Sequence, residues 1–210
     1  MAVTTTSICN MALAHIQTNR INDIDEDSVE AIACRLFYDN IRSLMLESFD
    51  WNFARISKNL PLHVEDPPDT NWQYQYIYPS QALAIRKLTF KDEPDHQIDY
   101  KTGLIEDSNG AELRVIWTNY PDPLCVYTKN ITSDALLSPM FVLALSYRLA
   151  IELAPALNLE GRVPQITQLF AGAIGEAMQS DANQYRDMIG HVDLADTMNG
   201  RTQLMGNFSG

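Results

Sequence analysis

Between Asp27 and Phe49 the chain carries one uninterrupted amphipathic run. Asp27 and Glu30 have the Asp-x-x-Glu spacing of a capping box, and Val29, Ala33, Leu36, Phe37, Ile41, Leu44 and Phe49 recur at helical intervals. The pattern predicts a helix from Ser28 to about Phe49. A lone helix of this length is marginal in water, so its apolar stripe must be buried on other elements. The rest of the chain has to supply them.

One helix is predicted upstream, over Thr5 to Ile16, where Ile8, Met11, Ala12 and Ile16 follow a Thr/Ser run suited to capping and the Thr18-Asn19 pair ends the pattern. After Trp51 the character changes. Short runs rich in aromatic and β-branched residues (Trp51–Ser57, Tyr74–Tyr78, Ile85–Phe90, Gln97–Tyr100, Leu113–Asn119) alternate with turn signals at Pro67-Pro68, Pro79, Gly103, Ser108-Asn109-Gly110 and Pro121/Pro123. They predict a small antiparallel sheet. Helical spacing returns behind Ser138-Pro139 and holds through Met140, Leu143, Ala144, Tyr147, Ile151 and Ala154 to Pro155. A fourth helix is predicted from near Pro164, with Val163, Ile166, Leu169, Phe170, Ala173, Ala177 and Met178 apolar; its ~25 residues would span ~37 Å, more than a small domain needs. From Gly190 the composition turns to Gly, Asn, Thr and Ser. The fold class expected is α+β and mainly α: a small helical bundle from residues 1–50 and 131–190, an inserted antiparallel β subdomain over 51–130, and a flexible carboxy-terminal tail over 191–210.

A chain of 210 residues, 46% hydrophobic and 20% charged, is long enough for one well-buried core and outside the disordered regime. The longest apolar stretch, Met140–Leu145, is too short to span a bilayer, and no membrane partner is expected. Met-Ala-Val-Thr-Thr-Thr has neither the basic start nor the apolar core of a signal peptide, so synthesis and use in a cytoplasm are expected. Cys9, Cys34 and Cys125 are far apart and odd in number, as expected of free thiols. Fifteen Lys+Arg against 27 Asp+Glu give a formal charge of −12, and no segment is basic. Tight DNA binding needs cations to replace phosphate counterions, so this distribution argues against it and is compatible with a surface past which DNA slides without sticking.

No constellation for catalysis, cofactor or metal emerges. Asp23, Asp25 and Asp27 match the start of a calcium loop, but Ser28 replaces its turn glycine and Cys34 stands where a bidentate glutamate belongs. His15, His63, His96 and His191 lack zinc spacing. Glu47 and Asp50, beside Phe49, Trp51 and Phe53, are the nearest approach to a glycosidase carboxylate pair. Gly172-x-x-Gly175 has no preceding strand and no Lys-Ser/Thr, and is read as a place where two helices approach closely.

The run Asp27-Ser28-Val29-Glu30-Ala31-Ile32-Ala33-Cys34-Arg35-Leu36-Phe37-Tyr38, then Arg42, Leu46 and Trp51-Asn52-Phe53-Ala54, resembles the opening of the podophage head-to-tail adaptor family. That family includes the tail tubular protein A type and the related tail accessory factors. Tyr76-Ile77-Tyr78-Pro79 resembles its aromatic-proline strand, and Ile131 to Asp134, Leu137, Met140-Phe141, Ala144-Leu145 and Leu149-Ala150 resemble the start of its third helix. The similarity covers roughly residues 7–185 in the family's order of elements. One departure is Ser80-Gln81-Ala82, where the family often has an acidic residue.

The resemblance implies a non-enzymatic virion structural protein, made in the host cytoplasm and placed at the neck of the particle. It implies a dodecameric ring between the portal protein and the tail tube or nozzle, sealing the packaged head and forming part of the DNA ejection channel. It marks Trp51, Asn52, Phe53, Tyr78 and Pro79 as structural signature residues. It also implies that the tail orders against the portal, which would bury Leu204, Met205 and Phe208. The free subunit is expected to be monomeric, with ring formation promoted by the portal or by concentration. A virion-associated peptidoglycan hydrolase with Glu47 as its acid is the enzymatic alternative.

Overall fold

The structure, a computed structural model, describes residues 3–107 and 110–204, and side chains as far as residue 184. It is mixed α/β, with four α-helices and two small antiparallel sheets, 45% helical and 22% strand. The chain divides into two compact units, Met1–Phe37 with Leu137–Gly210, and Tyr38–Leu136.

In the first unit, α1 (Thr5–Ile16) opens where the Thr4 side chain accepts from the Ser7 N–H and Ser7 returns the bond to the Thr4 backbone. Gln17, in the left-handed conformation at φ 60°, ends it one residue before the Thr18-Asn19 pair. The side chain of Asn10 both accepts from and donates to the backbone of Ile21, which ties the following loop back onto α1. α3 (Pro139–Ala156) begins as its sequence requires, with Ser138 accepting from the Phe141 N–H and Pro139 in the first turn. It packs against α1 and against α4 (Val163–Leu204). Ile8, Leu13, Phe141, Leu145, Leu149, Leu153 and Ile166 fill the core. By length and composition α3 would suffice to cross a bilayer, although its longest apolar run, Met140–Leu145, is short; half of it is buried inside the protein.

α4 departs from expectation in two ways. Gly172 and Gly175 face open space, since a Cβ on either would meet nothing within 4 Å, and the close approach to α3 is made instead by the buried Ala173 and Ala177. The helix also continues to Leu204, through residues read as a loose tail from Gly190 onward. Gly190 and Gly200 each cost a helix only about 1 kcal/mol, and Met188, Val192, Ala195 and Met198 keep helical spacing across them.

α2 (Val29–Ser48) runs from the first unit into the second. Its start corrects the Asp27 capping box: the Ser28 hydroxyl caps, accepting from the Ala31 N–H, while Glu30 accepts from Asn19 and Thr18. Its buried line is Ala31, Cys34, Tyr38, Ile41 and Met45, whereas Val29, Leu36 and Leu44 from the expected stripe are exposed.

The second unit holds seven strands: β1 (Arg55–Asn59), β2 (Tyr74–Ile77), β3 (Ala82–Thr89), β4 (Gln97–Ile98), β5 (Tyr100–Glu106), β6 (Glu112–Thr118) and β7 (Leu124–Lys129). The single sheet expected is two, in the orders β1-β7-β3-β4 and β2-β6-β5, all neighbours antiparallel. The chain changes sheet four times, between β1 and β2, β2 and β3, β4 and β5, and β6 and β7, the third change falling at Asp99. Leu88, Ile98, Cys125 and Tyr127 from one sheet and Tyr76 and Ile116 from the other form one shared core. β7 went unrecognised because Cys125, Val126, Tyr127 and Thr128 are buried in succession and give no alternation. β5 is mostly exposed and is interrupted by Gly103, where a Cβ would stand 2.3 Å from the Trp117 ring. Glycine there lets the indole lie against the strand backbone.

Candidate functional site

The signature residues sit where α2 gives way to the sheets. Trp51 is fully buried, its indole N–H donates to the Met45 carbonyl at 2.9 Å, and Phe49 and Phe53 flank its ring with centroids 4.9 and 5.7 Å away. Asn52 and Phe53 form the 3-10 turn Asn52–Ala54 that leads into β1. Arg86 closes the end of α2. It lies at a register shift of β3, between Ile85 and Lys87, and a bulge of this kind re-aims the side chain it carries. Its guanidinium donates to the carbonyls of Glu47 and Phe49 at 2.8 and 2.7 Å and to the Thr128 hydroxyl at 2.7 Å, so a cation meets the negative end of the helix dipole. Tyr78 is buried under the Arg114 guanidinium at 3.9 Å, and the Pro79 carbonyl accepts from the Ala82 N–H to turn β2 into β3. Burial pushes the Tyr78 phenol above its usual range. These residues pack and brace the corner.

Beside them lies a buried polar cluster. The Tyr38 hydroxyl donates to Asp134 at 2.7 Å, and the buried Arg42 has Asp134 at 3.9 Å and the exposed Asp39 at 3.0 Å. Tyr38, Arg42 and Asp134 all fall in the stretches that carry the family resemblance, although no role was assigned to them from sequence. No signal in the chain marked them, because the apolar stripe read from sequence leaves Arg42 on the polar side of α2, and only the observed orientation of the helix buries it and calls for an acid to meet it.

Two surface features remain without a partner among the described residues. Along α2, Val29, Ile32, Leu36 and Leu44 are 66%, 52%, 64% and 57% exposed. Within the second unit, a cleft of about 470 Å³ is lined by Phe53, Ile56, Leu83 and Leu136, with Lys129 at its wall. No protein-family model matches the chain, and no curated protein matches it.

The residues tested for chemistry are dispersed or already engaged. Asp50 is held in a two-point ion pair by Arg55, at 3.0 and 2.7 Å, and Glu47 is exposed. Asp23 accepts from the Asp25 backbone, and no group of three His, Cys, Asp or Glu residues could hold a metal ion among those described. Of the tail residues, Leu204 ends α4 with its side chain undescribed, and Met205 and Phe208 lie outside the described residues.

Cys9, Cys34 and Cys125 form no disulfide and are fully buried, and burial pushes the Cys125 thiol up to about 12. A thiol-specific reagent is expected to leave all three unmodified in the folded chain and to react with them after denaturation. Rapid labelling of the folded protein would contradict this packing.

His15 stacks on Tyr147 at 4.0 Å, meets the Ser146 hydroxyl at 3.0 Å, and has its pKa lowered from 6.5 by burial. As the pH falls below about 6.5 the unfolded chain takes up a proton that the folded chain refuses. This part of the stability is therefore complete above that pH and declines toward the lowered folded value. Urea midpoints measured from neutral pH downward should fall less steeply in His15→Gln than in the parent; identical slopes would remove His15 as the cause.

Proposed function

We propose that the chain is a virion structural protein of a tailed phage, an adaptor that assembles as a ring between the portal and the tail tube or nozzle. In this reading the four helices form a bundle, the β-rich part is its insertion, and the ring seals the packaged head and forms part of the DNA ejection channel. The supporting observation is the apolar face of α2. Four large aliphatic side chains, each more than half exposed on a helix whose opposite face is well packed, are what a subunit shows when another protein covers them. The order of elements agrees with the resemblance, and the net charge of −12 suits a channel through which DNA passes without being held.

The portal contact is assigned to the carboxy-terminal end, with Leu204, Met205 and Phe208 as its apolar anchors. The test is co-sedimentation with purified portal rings of the same virus. The full chain is expected to sediment with the rings, and a chain ending at residue 190 to fold but stay in the supernatant. Failure of the full chain to bind would overturn the adaptor reading, and equal binding by the shortened chain would overturn the role given to its end.

A further inference from the structure

We propose that the exposed face of α2 docks into the cleft beside β1 of a second copy of this chain, so that identical subunits join head to tail. The proposal rests on the ring reading above and names the two surfaces through which the ring closes.

Val29, Ile32, Leu36 and Leu44 lie within about a third of the helix circumference, since successive residues turn by about 100°. At their exposures they present on the order of 400 Å² of apolar surface, the size of patch that marks an interaction site. A stable protein interface removes about 800 Å² from each partner, so this stripe supplies roughly half of one. The other half must come from elsewhere on the subunit, and self-pairing of the stripe is an inefficient way to find it. The exposed carboxylates of α2 are Asp39, which pairs with the buried Arg42, and Glu47; Glu30 is half-buried, and the exposed Arg35 is engaged by the carbonyls of Ile24 and Glu26. Two such stripes facing each other would crowd carboxylates together.

The cleft in the second unit has the complementary character. Its walls mix apolar side chains, among them Leu136 at 64% and Ile56 at 37% exposure, with the uncharged polar residues Ser80, Gln81, Asn130, Thr132 and Ser133, and Lys129 is the only ionisable residue lining it. An apolar ridge with carboxylates beside it thus meets a partly apolar groove edged with a cation. Because ridge and groove are different surfaces of the same subunit, each copy that docks leaves a free groove and a free ridge. Such contacts propagate, and they close into a ring when the rotation between neighbours permits.

The test uses full-length chains carrying Leu36→Cys, Leu136→Cys or both, treated with a flexible bis-maleimide at high protein concentration and with portal rings. Both positions are well exposed, and the three native thiols are buried. The double variant is expected to give a ladder of covalent oligomers, each single variant to stay monomeric, and an equimolar mixture of the single variants to stop at dimers. Dimers from Leu36→Cys alone would mean that the stripe pairs with itself and would overturn the head-to-tail contact. Rings seen by electron microscopy without the Leu36 to Leu136 link would overturn these surfaces while leaving the adaptor reading intact. Absence of rings under every condition would overturn both.

Discussion

Trp51→Ala is expected to destabilise the second unit by about 4 kcal/mol, the range for removing a fully buried tryptophan from a well-packed core. Trp51 is 0% exposed and is held between Phe49 and Phe53, so truncation leaves a cavity bounded by rings that cannot all collapse into it. The Met45 carbonyl also loses its indole donor. The loss should be read as a lower urea midpoint by a probe within the strands. Trp51→Phe should recover most of the packing but not the hydrogen bond. A loss below about 1 kcal/mol in Trp51→Ala would mean that the corner between α2 and β1 is not organised around this side chain.

Asp134→Ala is expected to cost about 3 kcal/mol. It removes the acceptor of the Tyr38 hydroxyl and the carboxylate beside the buried Arg42, and stranding a buried charge costs about 3–5 kcal/mol. Asp39 remains at 3.0 Å from the guanidinium, which places the effect at the low end. The Nε of Arg42 already lacks a hydrogen-bond partner among the described residues, so little is left to compensate. Combining Asp134→Leu with Arg42→Met should restore much of the stability, because an apolar pair of similar volume avoids the desolvation penalty. A double variant as unstable as Asp134→Ala would show that the loss comes from shape or from the Tyr38 hydroxyl deprived of its acceptor, and not from the stranded charge.

The chain announces its helices where local chemistry decides them. Thr4 with Ser7, and Ser138 with Pro139, fix the starts of α1 and α3, and both begin where the sequence places them. α2 was legible as a helix but not in orientation. It carries apolar residues on two faces, and periodicity alone does not say whether Cys34, Tyr38 and Met45 or Val29, Leu36 and Leu44 turn inward. The resolved orientation leaves Val29, Ile32, Leu36 and Leu44 on the outer face of the helix. β7 could not be read from alternation, since it is the inner strand of its sheet and buried on both sides. Arg86 was invisible for a different reason: its role depends on a bulge in β3 and on the end of a helix some forty residues earlier, and no local motif encodes that meeting. Trp51 and Tyr78, which the resemblance marks as structural residues, are both buried.

From these pieces a consistent chain of cause runs toward assembly. Arg86 and the Tyr38, Arg42 and Asp134 cluster anchor the second half of α2 within the second unit. A helix held in this way incurs a smaller ordering cost when a neighbour covers it. For the proposed adaptor reading, the deciding measurement is electron microscopy of the purified chain mixed with portal rings of the virus that encodes it. The account predicts dodecameric rings of this chain stacked coaxially on the portal, with α2 buried between neighbours. Portal rings that remain bare at saturating concentrations of the folded chain would contradict it.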